Sequence, residues 1–516
     1  MKTLLLTSFL FISFILTAQE TADQYDSSVP NHYFDFSLKL VKETPGFTPP
    51  VVARAFGFMG LSLYEAVVPG INNYSSTKGI IYELTDVTNA EKGAVYHWPT
   101  VANNAMATIM DSLFRTMTIA NKDSLDKIRD YYNSLFEGQV ATQMFEDSKT
   151  FGEAIAHDIF NYSKLDGGHE SYASNFPPAY IPPAGPEYWV PFGNQLAMQP
   201  YWGSHRPFIQ ADSSMASIIA PTFTFSPDTG SVFYGLADQV YTTGKNLTPE
   251  QTNIALYWGD GPGTISPPGH SISMLKNILI QQNATLDQAT VAYAKLGIAL
   301  SDAFLVCWKA KYIYNLCRPV TYIREYIDST WLPLIGTPPF PEYPSGHSTQ
   351  SGAMATVMSE IFGSSFAFTD ITNGNNFGGP RSFDSFEEAA QEAAVSRLYG
   401  GIHFETGNMA GLTMGNIIGS NVNALFEQLS VSTENPEHEL ANLLIYPNPA
   451  TDFVFIKPDP KLIGNEYFVF DLYGNILQRG KLTNELNTIP IGQFAAGIYL
   501  IRIGEKAGDT YRIVKT

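Results

Sequence analysis

Near residue 430 the spacing of apolar residues along this 516-residue chain changes period, and one core cannot serve both halves. Before that point small and apolar side chains recur at helical spacing, as in Val51-Val52-Ala53-Arg54-Ala55-Phe56 through Tyr64-Glu65-Ala66, behind the start signal Pro49-Pro50. After Leu443 they alternate, as in Phe453-Val454-Phe455-Ile456, Tyr467-Phe468-Val469-Phe470 and Ile498-Tyr499-Leu500-Ile501, with turn signals such as Tyr473-Gly474-Asn475 between them. Ser430-Val431-Ser432-Thr433-Glu434-Asn435-Pro436-Glu437 has the composition of a linker. The expected organisation is a mainly α body over 19–429, a linker over 430–442 and a small all-β domain over 443–516. Length alone also asks for more than one core.

Within the body, the periodicity predicts helices over Glu91–Thr118, Ser124–Leu135, Gly152–Ser163, Pro249–Trp258, Phe386–Tyr399 and Asn408–Leu429. A long one over Leu286–Tyr312 puts Trp308 and Lys311 on one face, with Arg318-Pro319 as its stop. Residues 168–212 are rich in Pro and aromatics without helical period, either a functional loop or a structural wrap. Trp258-Gly259-Asp260-Gly261-Pro262-Gly263, closed by Pro267-Pro268-Gly269-His270, predicts a shaped loop in which Asp260 could orient a site arginine.

Residues 1–18 have the layout of a secretory signal: Lys2, an apolar run Leu4–Leu16, then Thr17-Ala18. No later stretch offers about 18 unbroken apolar residues, so no transmembrane segment is expected in the mature chain. Two cysteines, Cys307 and Cys317, exclude a disulfide framework and are expected as buried thiols. A net charge of −19 argues against nucleic acid or an anionic membrane as partner. An acidic surface is still compatible with a cationic pocket, because the local field governs capture of a ligand.

Such a pocket is written between residues 311 and 403. Lys311 stands seven residues before Arg318-Pro319. Pro341-Glu342-Tyr343-Pro344-Ser345-Gly346-His347-Ser348 follows, and Arg397 stands six residues before His403. One Lys and two Arg supply charge-assisted hydrogen bonds to a tetrahedral oxyanion. Gly346 offers a close backbone N–H at the start of a helix. His347 and His403 can act as nucleophile, ligand or proton carrier. Among nine histidines, His97, His157 and His169 lack cationic neighbours, and His270 is intermediate. On the residues alone, phosphate and vanadate fit equally well.

The set K-x6-R-P, P-S-G-H and S-R-x5-H resembles the superfamily shared by vanadium-dependent haloperoxidases and type 2 phosphatidic-acid phosphatases. The resemblance implies two four-helix bundles over roughly 30–429 and vanadate as cofactor. It implies that His403 coordinates the vanadium. Lys311, Arg318 and Arg397 would hold the equatorial oxygens with Ser345 and Gly346, and His347 would be the acid–base partner. Trp308 and Phe340 resemble the apolar residues beside the halide in haloperoxidases of the chloroperoxidase type. The implied substrates are hydrogen peroxide and a halide, iodide favoured and bromide next, with a possible organic acceptor. A secreted acid phosphatase working through a phosphohistidine on the same site is the alternative. A non-catalytic surface protein binding an oxyanion or a glycan is a second. The β domain, with Leu443-Leu444-Ile445-Tyr446-Pro447-Asn448-Pro449-Ala450-Thr451-Asp452 and Gly497-Ile498-Tyr499-Leu500-Ile501, resembles the type A sorting domain of type IX secretion. That implies a small β-sandwich, the type IX secretion machinery as partner, and export to the surface or medium.

Overall fold

The computed structural model describes residues 20–193, 195–210, 218–430, 444–446, 450–458, 462–471, 476–484, 486–495, 497–503 and 510–515. The expected signal (1–18), all but the first residue of the expected linker, and Pro447–Pro449 of the sorting motif lie outside these residues. The chain divides into two compact units, Met1–Val431 and Ser432–Thr516.

The first unit is helical. Its N-terminal helices are α1 (Ser28–Glu43), α2 (Pro49–Val67), α3 (Trp98–Leu113), α4 (Ile119–Glu137) and α5 (Thr142–Ser163). Then come α6 (Val232–Lys245), α7 (Pro249–Tyr257), α8 (Ser266–Gln281), α9 (Leu286–Tyr314), α10 (Pro319–Tyr326), α11 (Gly346–Phe362), α12 (Phe386–Tyr399) and α13 (Glu405–Leu429). One bundle gathers α2, α3 and α5 with their flanking helices, a second gathers α9, α11, α12 and α13, and α2 against α9 joins them. Both α2 and α9 are long and apolar enough to cross a bilayer, but 100% and 94% of those windows are buried inside the unit, which makes them core helices.

Two close helix crossings depend on glycine. A Cβ at Gly297 of α9 would sit 2.4 Å from the Phe56 carbonyl of α2, and one at Gly415 of α13 would sit 2.1 Å from the Thr349 carbonyl of α11. The second crossing matters for the site, because it draws the N-terminal ends of α11 and α13 together; the Ser345 amide donates to the Gly407 carbonyl at 3.0 Å.

Three expectations are corrected here. Helix α9 stops at Asn315, which takes the left-handed conformation (φ 46°) that ends helices, three residues before Arg318. Arg318-Pro319 is a start signal: Arg318 is the N-cap and Pro319 the first residue of α10. Pro267-Pro268 likewise opens α8, so His270 lies in the first turns of a helix and not in a loop. The short hairpin of β1 (Phe368–Asp370) and β2 (Arg381–Phe383) carries no sequence signal of its own. Cys307 and Cys317 are buried free thiols, as expected, but do not share a helix.

The second unit is all-β and antiparallel. β3 (Leu444–Tyr446), β4 (Phe453–Lys457) and β7 (Asn487–Pro490) form a three-stranded sheet. β6 (Ile476–Lys481), β5 (Glu466–Phe470), β8 (Gly497–Ile503) and β9 (Thr510–Lys515) form a four-stranded one, in that spatial order. Val454, Ile456 and Ile489 from the first sheet share a core with Val469, Ile501 and Ile513 from the second. Alternation places these side chains inward, which makes the unit a small β-sandwich.

Candidate active site

The predicted site residues arrive from four places in the second bundle. Lys311 sits on the last turn of α9, Arg318 caps α10, Ser345 caps α11, and Arg397 ends α12 with His403 in the turn before α13. Lys311, Arg318, Arg397, Ser345 and His403 are all buried to within 2% exposure. His347 is the exception, with 16% of its side chain exposed, so it marks where the site meets solvent.

His403 is the best-defined ligand-type group. Its Nδ1–H donates to Glu342 Oε1 at 2.8 Å, and Arg318 Nη1 donates to its Nε2 at 3.1 Å. These partners fix the tautomer: the proton is on Nδ1 and the lone pair on Nε2. Burial holds the imidazole neutral, well below the usual range, with Arg318, Lys311 and Arg397 adding repulsion. Glu342 is wholly buried; it also accepts from the Phe404 amide at 3.1 Å. Gly407 leaves room for it, since a Cβ there would meet Oε1 at 2.4 Å. A carboxylate behind a ligating imidazole orients the ring and raises its basicity.

Lys311 directs its three N–H donors at the carbonyls of Pro341 and Glu342, each at 3.0 Å, and of Pro344. It therefore shapes the motif loop and supplies charge. Burial depresses its pKa to about 7, with Arg318 adding to the effect and Cys307 and Glu342 opposing it. Arg318 donates Nε to the Phe340 carbonyl at 2.9 Å and Nη1 also to the Ile402 carbonyl at 2.8 Å, while its buried Nη2 has no partner. Arg397 donates Nε to Ser396 Oγ at 2.9 Å and Nη2 to the carbonyls of Ala255 and Trp258. Burial brings both guanidinium groups down to about 10. Ser345 Oγ accepts from the Ser348 amide at 3.3 Å, which leaves its own proton to donate. The amides of Gly346 and His347 open α11 and have no carbonyl four residues back within that helix.

The apolar edge is formed by Trp308 and Phe340, with ring centroids 4.9 Å apart. Lys311 and Arg318 each lie 5.0 Å from the Phe340 ring. The Trp308 indole N–H donates to the Met198 carbonyl at 3.3 Å, and Tyr312 O–H donates to the same oxygen at 2.7 Å. The Met198 amide in turn donates to the Pro339 carbonyl at 2.9 Å. The long Pro- and aromatic-rich stretch is thus strapped to this edge, and Trp308 is wholly buried with its donor engaged, while Phe340 is only partly buried.

A second buried network lies beside His347. His270 is clamped between Asp260 and Asp370, and Asp260 faces His347. Asp260 makes no ion pair with Arg397 among the described residues, but its charge supports that guanidinium, which is held by the Ala255 and Trp258 carbonyls just ahead of Asp260. Sequence reasoning missed Glu342 and Asp370 as functional groups. Glu342 had a signal, as the one acid inside the motif and a partner of the kind a ligating histidine requires; Asp370 had none.

Lys311 and Arg318 share the Glu342 carboxylate, which is already turned to His403, while Arg397 lies within the field of Asp260, itself engaged by His270. Arg318 Nη2 and His347 Nε2 are buried without partners. Burying such charge without compensation is costly, and a multivalent oxyanion supplies the compensation. These residues fit vanadate: an imidazole lone pair for the metal and cationic and amide donors for its oxygens. Fold and site together define a helical-bundle protein built around a buried cationic centre.

Comparison with known proteins narrows that class. Residues 291–431 match the VCPO second helical-bundle domain, and residues 444–515 match a secretion system C-terminal sorting domain. The chain is similar to a bacterial vanadium-dependent iodoperoxidase of known crystal structure, with a TM-score of 0.69 at 31% identity over 78% of this chain and 96% of that one. A bacterial vanadium-dependent chloroperoxidase shares the fold at a TM-score of 0.58 and 17% identity, over 75% of this chain and 93% of that one. The vanadium chloroperoxidase of Curvularia inaequalis is 32% identical over 141 residues, and this match spans 22% of this chain and 23% of that protein. The chain belongs to the vanadium-dependent haloperoxidase family.

Proposed function

We propose that the protein is an exported vanadate-dependent haloperoxidase that oxidises halide with hydrogen peroxide, iodide in preference to bromide. The observation that carries the reading is His403, held by Glu342 with its Nε2 lone pair turned toward Arg318 among three buried cations. Bound vanadate would supply a Lewis-acid centre that activates peroxide without changing oxidation state. In this reading His403 is the metal ligand. Arg318 and Arg397 hold the oxygens with the Ser345 hydroxyl and the first amides of α11, and Lys311 stabilises developing negative charge from behind the motif loop. His347 is neutral, because burial and the neighbouring Arg397, His270 and Lys311 hold its pKa well below the usual range. A neutral imidazole at the mouth of the site can accept a proton from peroxide and return it to the departing hypohalous acid.

The Trp308–Phe340 edge supports halide oxidation over phosphate-ester hydrolysis, since a large, weakly hydrated anion is well served by ring surface and a phosphate ester does not need it. Iodide is the easiest halide to oxidise, and the likeness at 31% identity is to an iodoperoxidase. The sorting domain supports export through type IX secretion. Initial rates with iodide, bromide and chloride at equal peroxide test the halide assignment. Iodide is expected to be fastest, and a bromide or chloride rate above the iodide rate would overturn it.

A further inference from the structure

A haloperoxidase releases an electrophile, and the ring of an exposed tyrosine is a nucleophile for it. Among the described residues three tyrosines are exposed: Tyr131 at 59%, Tyr201 at 56% and Tyr446 at 44%. Tyr131 stands on α4, which packs against α1, α3 and α5 of the first bundle, and Tyr446 stands on β3 of the second unit. Tyr201 belongs to the Pro- and aromatic-rich stretch that borders the oxyanion site.

That stretch is fixed along α9. Toward one end the Trp189 amide donates to the Asn315 carbonyl at 2.6 Å. Toward the other, the wholly buried Asp302 accepts from the amides of Phe208 and Ile209, each at 2.9 Å. Between them the Met198 carbonyl takes the Trp308 and Tyr312 donors. Tyr201 follows Met198 by three residues, and a chain spans at most about 3.6 Å per residue, so the two backbones lie within about 11 Å. Tyr201 caps the single turn Trp202–Ser204, which is pressed onto α9. A Cβ at Gly203 would sit 2.4 Å from the Lys309 Cα, one residue beyond Trp308. A row of rings continues outward. Tyr180 stands edge-on to Tyr312 with centroids 5.2 Å apart, and Tyr201 edge-on to Tyr180 at 6.2 Å. Tyr312 and Tyr180 are partly buried, with their hydroxyls donated to the Met198 carbonyl and to Asn315 Oδ1, both at 2.7 Å. Tyr201 ends the row with its ring open to solvent.

We propose that Tyr201 is the site at which the protein halogenates itself: hypohalous acid leaving past the Phe340 edge meets this phenol before it meets Tyr131 or Tyr446. The inference rests on the haloperoxidase reading above but concerns a residue outside the set assigned to the anion or the halide. With hypoiodous acid, iodine bonds to a ring carbon next to the one that carries the hydroxyl. The C–H bond there breaks, and its proton leaves with the hydroxide of the acid as water. The ring carbon gives up an electron pair to iodine, so the ring is oxidised and the iodine reduced. One molecule of hypoiodous acid is consumed for each iodine gained, and the phenol hydroxyl is kept.

The test is peptide mapping by mass spectrometry of the full-length protein, loaded with orthovanadate and given iodide with substoichiometric peroxide. Iodine in place of hydrogen is expected at Tyr201 about 10-fold or more above Tyr131, because a product released nearby acts at a raised effective concentration. Hypoiodite added from outside to the unloaded protein is expected to label these two tyrosines to similar extents, since their exposures match. Tyr201→Phe is expected to remove the early label without changing the initial rate of triiodide formation. The proposal is overturned if Tyr131 is labelled as fast as Tyr201 during turnover, or if added hypoiodite shows the same preference for Tyr201. Oxygen uptake at Met198 in place of iodine at Tyr201 would overturn it as well. Absence of triiodide from the loaded protein would instead remove the haloperoxidase reading and this proposal with it.

Discussion

Replacing Glu342 by Gln separates the stability of the helical unit from its hold on the oxyanion. The carboxylate is wholly buried, and Oε2 has no partner. Burial raises its pKa from 4.5 to about 7, against the pull of Arg318 and Lys311. The unfolded chain therefore releases this proton near pH 4.5 and the folded one near pH 7. The group's favourable share of stability is complete below pH 4.5 and is lost as pH rises through 7. The gap corresponds to a cost of about 3 kcal/mol above pH 7. Gln removes that cost, and its amide oxygen still accepts from His403 Nδ1 and the Phe404 amide. What disappears is the charge assistance of the His403 bond. A hydrogen bond to a charged group is worth about 1.5–3 kcal/mol against about 0.5–1.5 for a neutral one. The difference, about 1–2 kcal/mol, translates to about 5- to 30-fold in the Kd for orthovanadate. Glu342→Gln is expected to melt at the same or a higher temperature at pH 8 while binding orthovanadate correspondingly more weakly by calorimetry. Unchanged affinity would refute the argument that Glu342 tunes His403, and a large loss of thermal stability would refute the assigned cost of its burial.

His403→Ala is expected to abolish vanadate-dependent halide oxidation while circular dichroism stays helical; normal turnover would remove His403 from the site. Phe340→Leu is expected to alter the ratio of iodide to bromide rates and to lose about 1–2 kcal/mol of cation–π contact with Lys311 and Arg318. If the ratio holds, the ring is core only. Lys311, with its pKa brought down to about 7 by burial, loses its charge in the anion-free protein as pH rises through 7. Its own share of folding stability therefore rises between pH 7 and 10.5, because the unfolded chain binds the extra proton there, whereas anion binding above pH 7 must draw a proton in. Calorimetric titrations of phosphate at pH 8 in buffers of different ionisation heat should show that uptake, and buffer-independent heats would contradict it.

The site was legible because its cations and histidines lie in a short stretch of chain with fixed spacing. Lys311, Arg318, Ser345, His347, Arg397 and His403 need only one bundle to bring them together. The carboxylates that set their electrostatics were not legible in the same way. Glu342 meets His403 across 61 residues, and Asp370 meets His270 across 100, through tertiary contacts that no periodicity encodes. Fold boundaries show a similar division. The switch from helical to alternating period at the end of the body was plain, because burial on one face dictates it. The end of α9 depended on Asn315 adopting a left-handed conformation, and the start of α8 on Pro267-Pro268 acting as a first turn. Proline pairs open helices and break them with equal ease, so neighbouring packing decides which occurs.

The central claim is that this oxyanion site carries halide oxidation, and one comparison tests it most directly. The purified protein, stripped of bound oxyanion, is assayed for peroxide-dependent triiodide formation before and after addition of orthovanadate, with hydrolysis of p-nitrophenyl phosphate followed on the same sample. Iodide oxidation is expected to appear only with vanadate, with no appreciable ester hydrolysis. Ester hydrolysis that vanadate inhibits, with no iodide oxidation at any vanadate concentration, would contradict it.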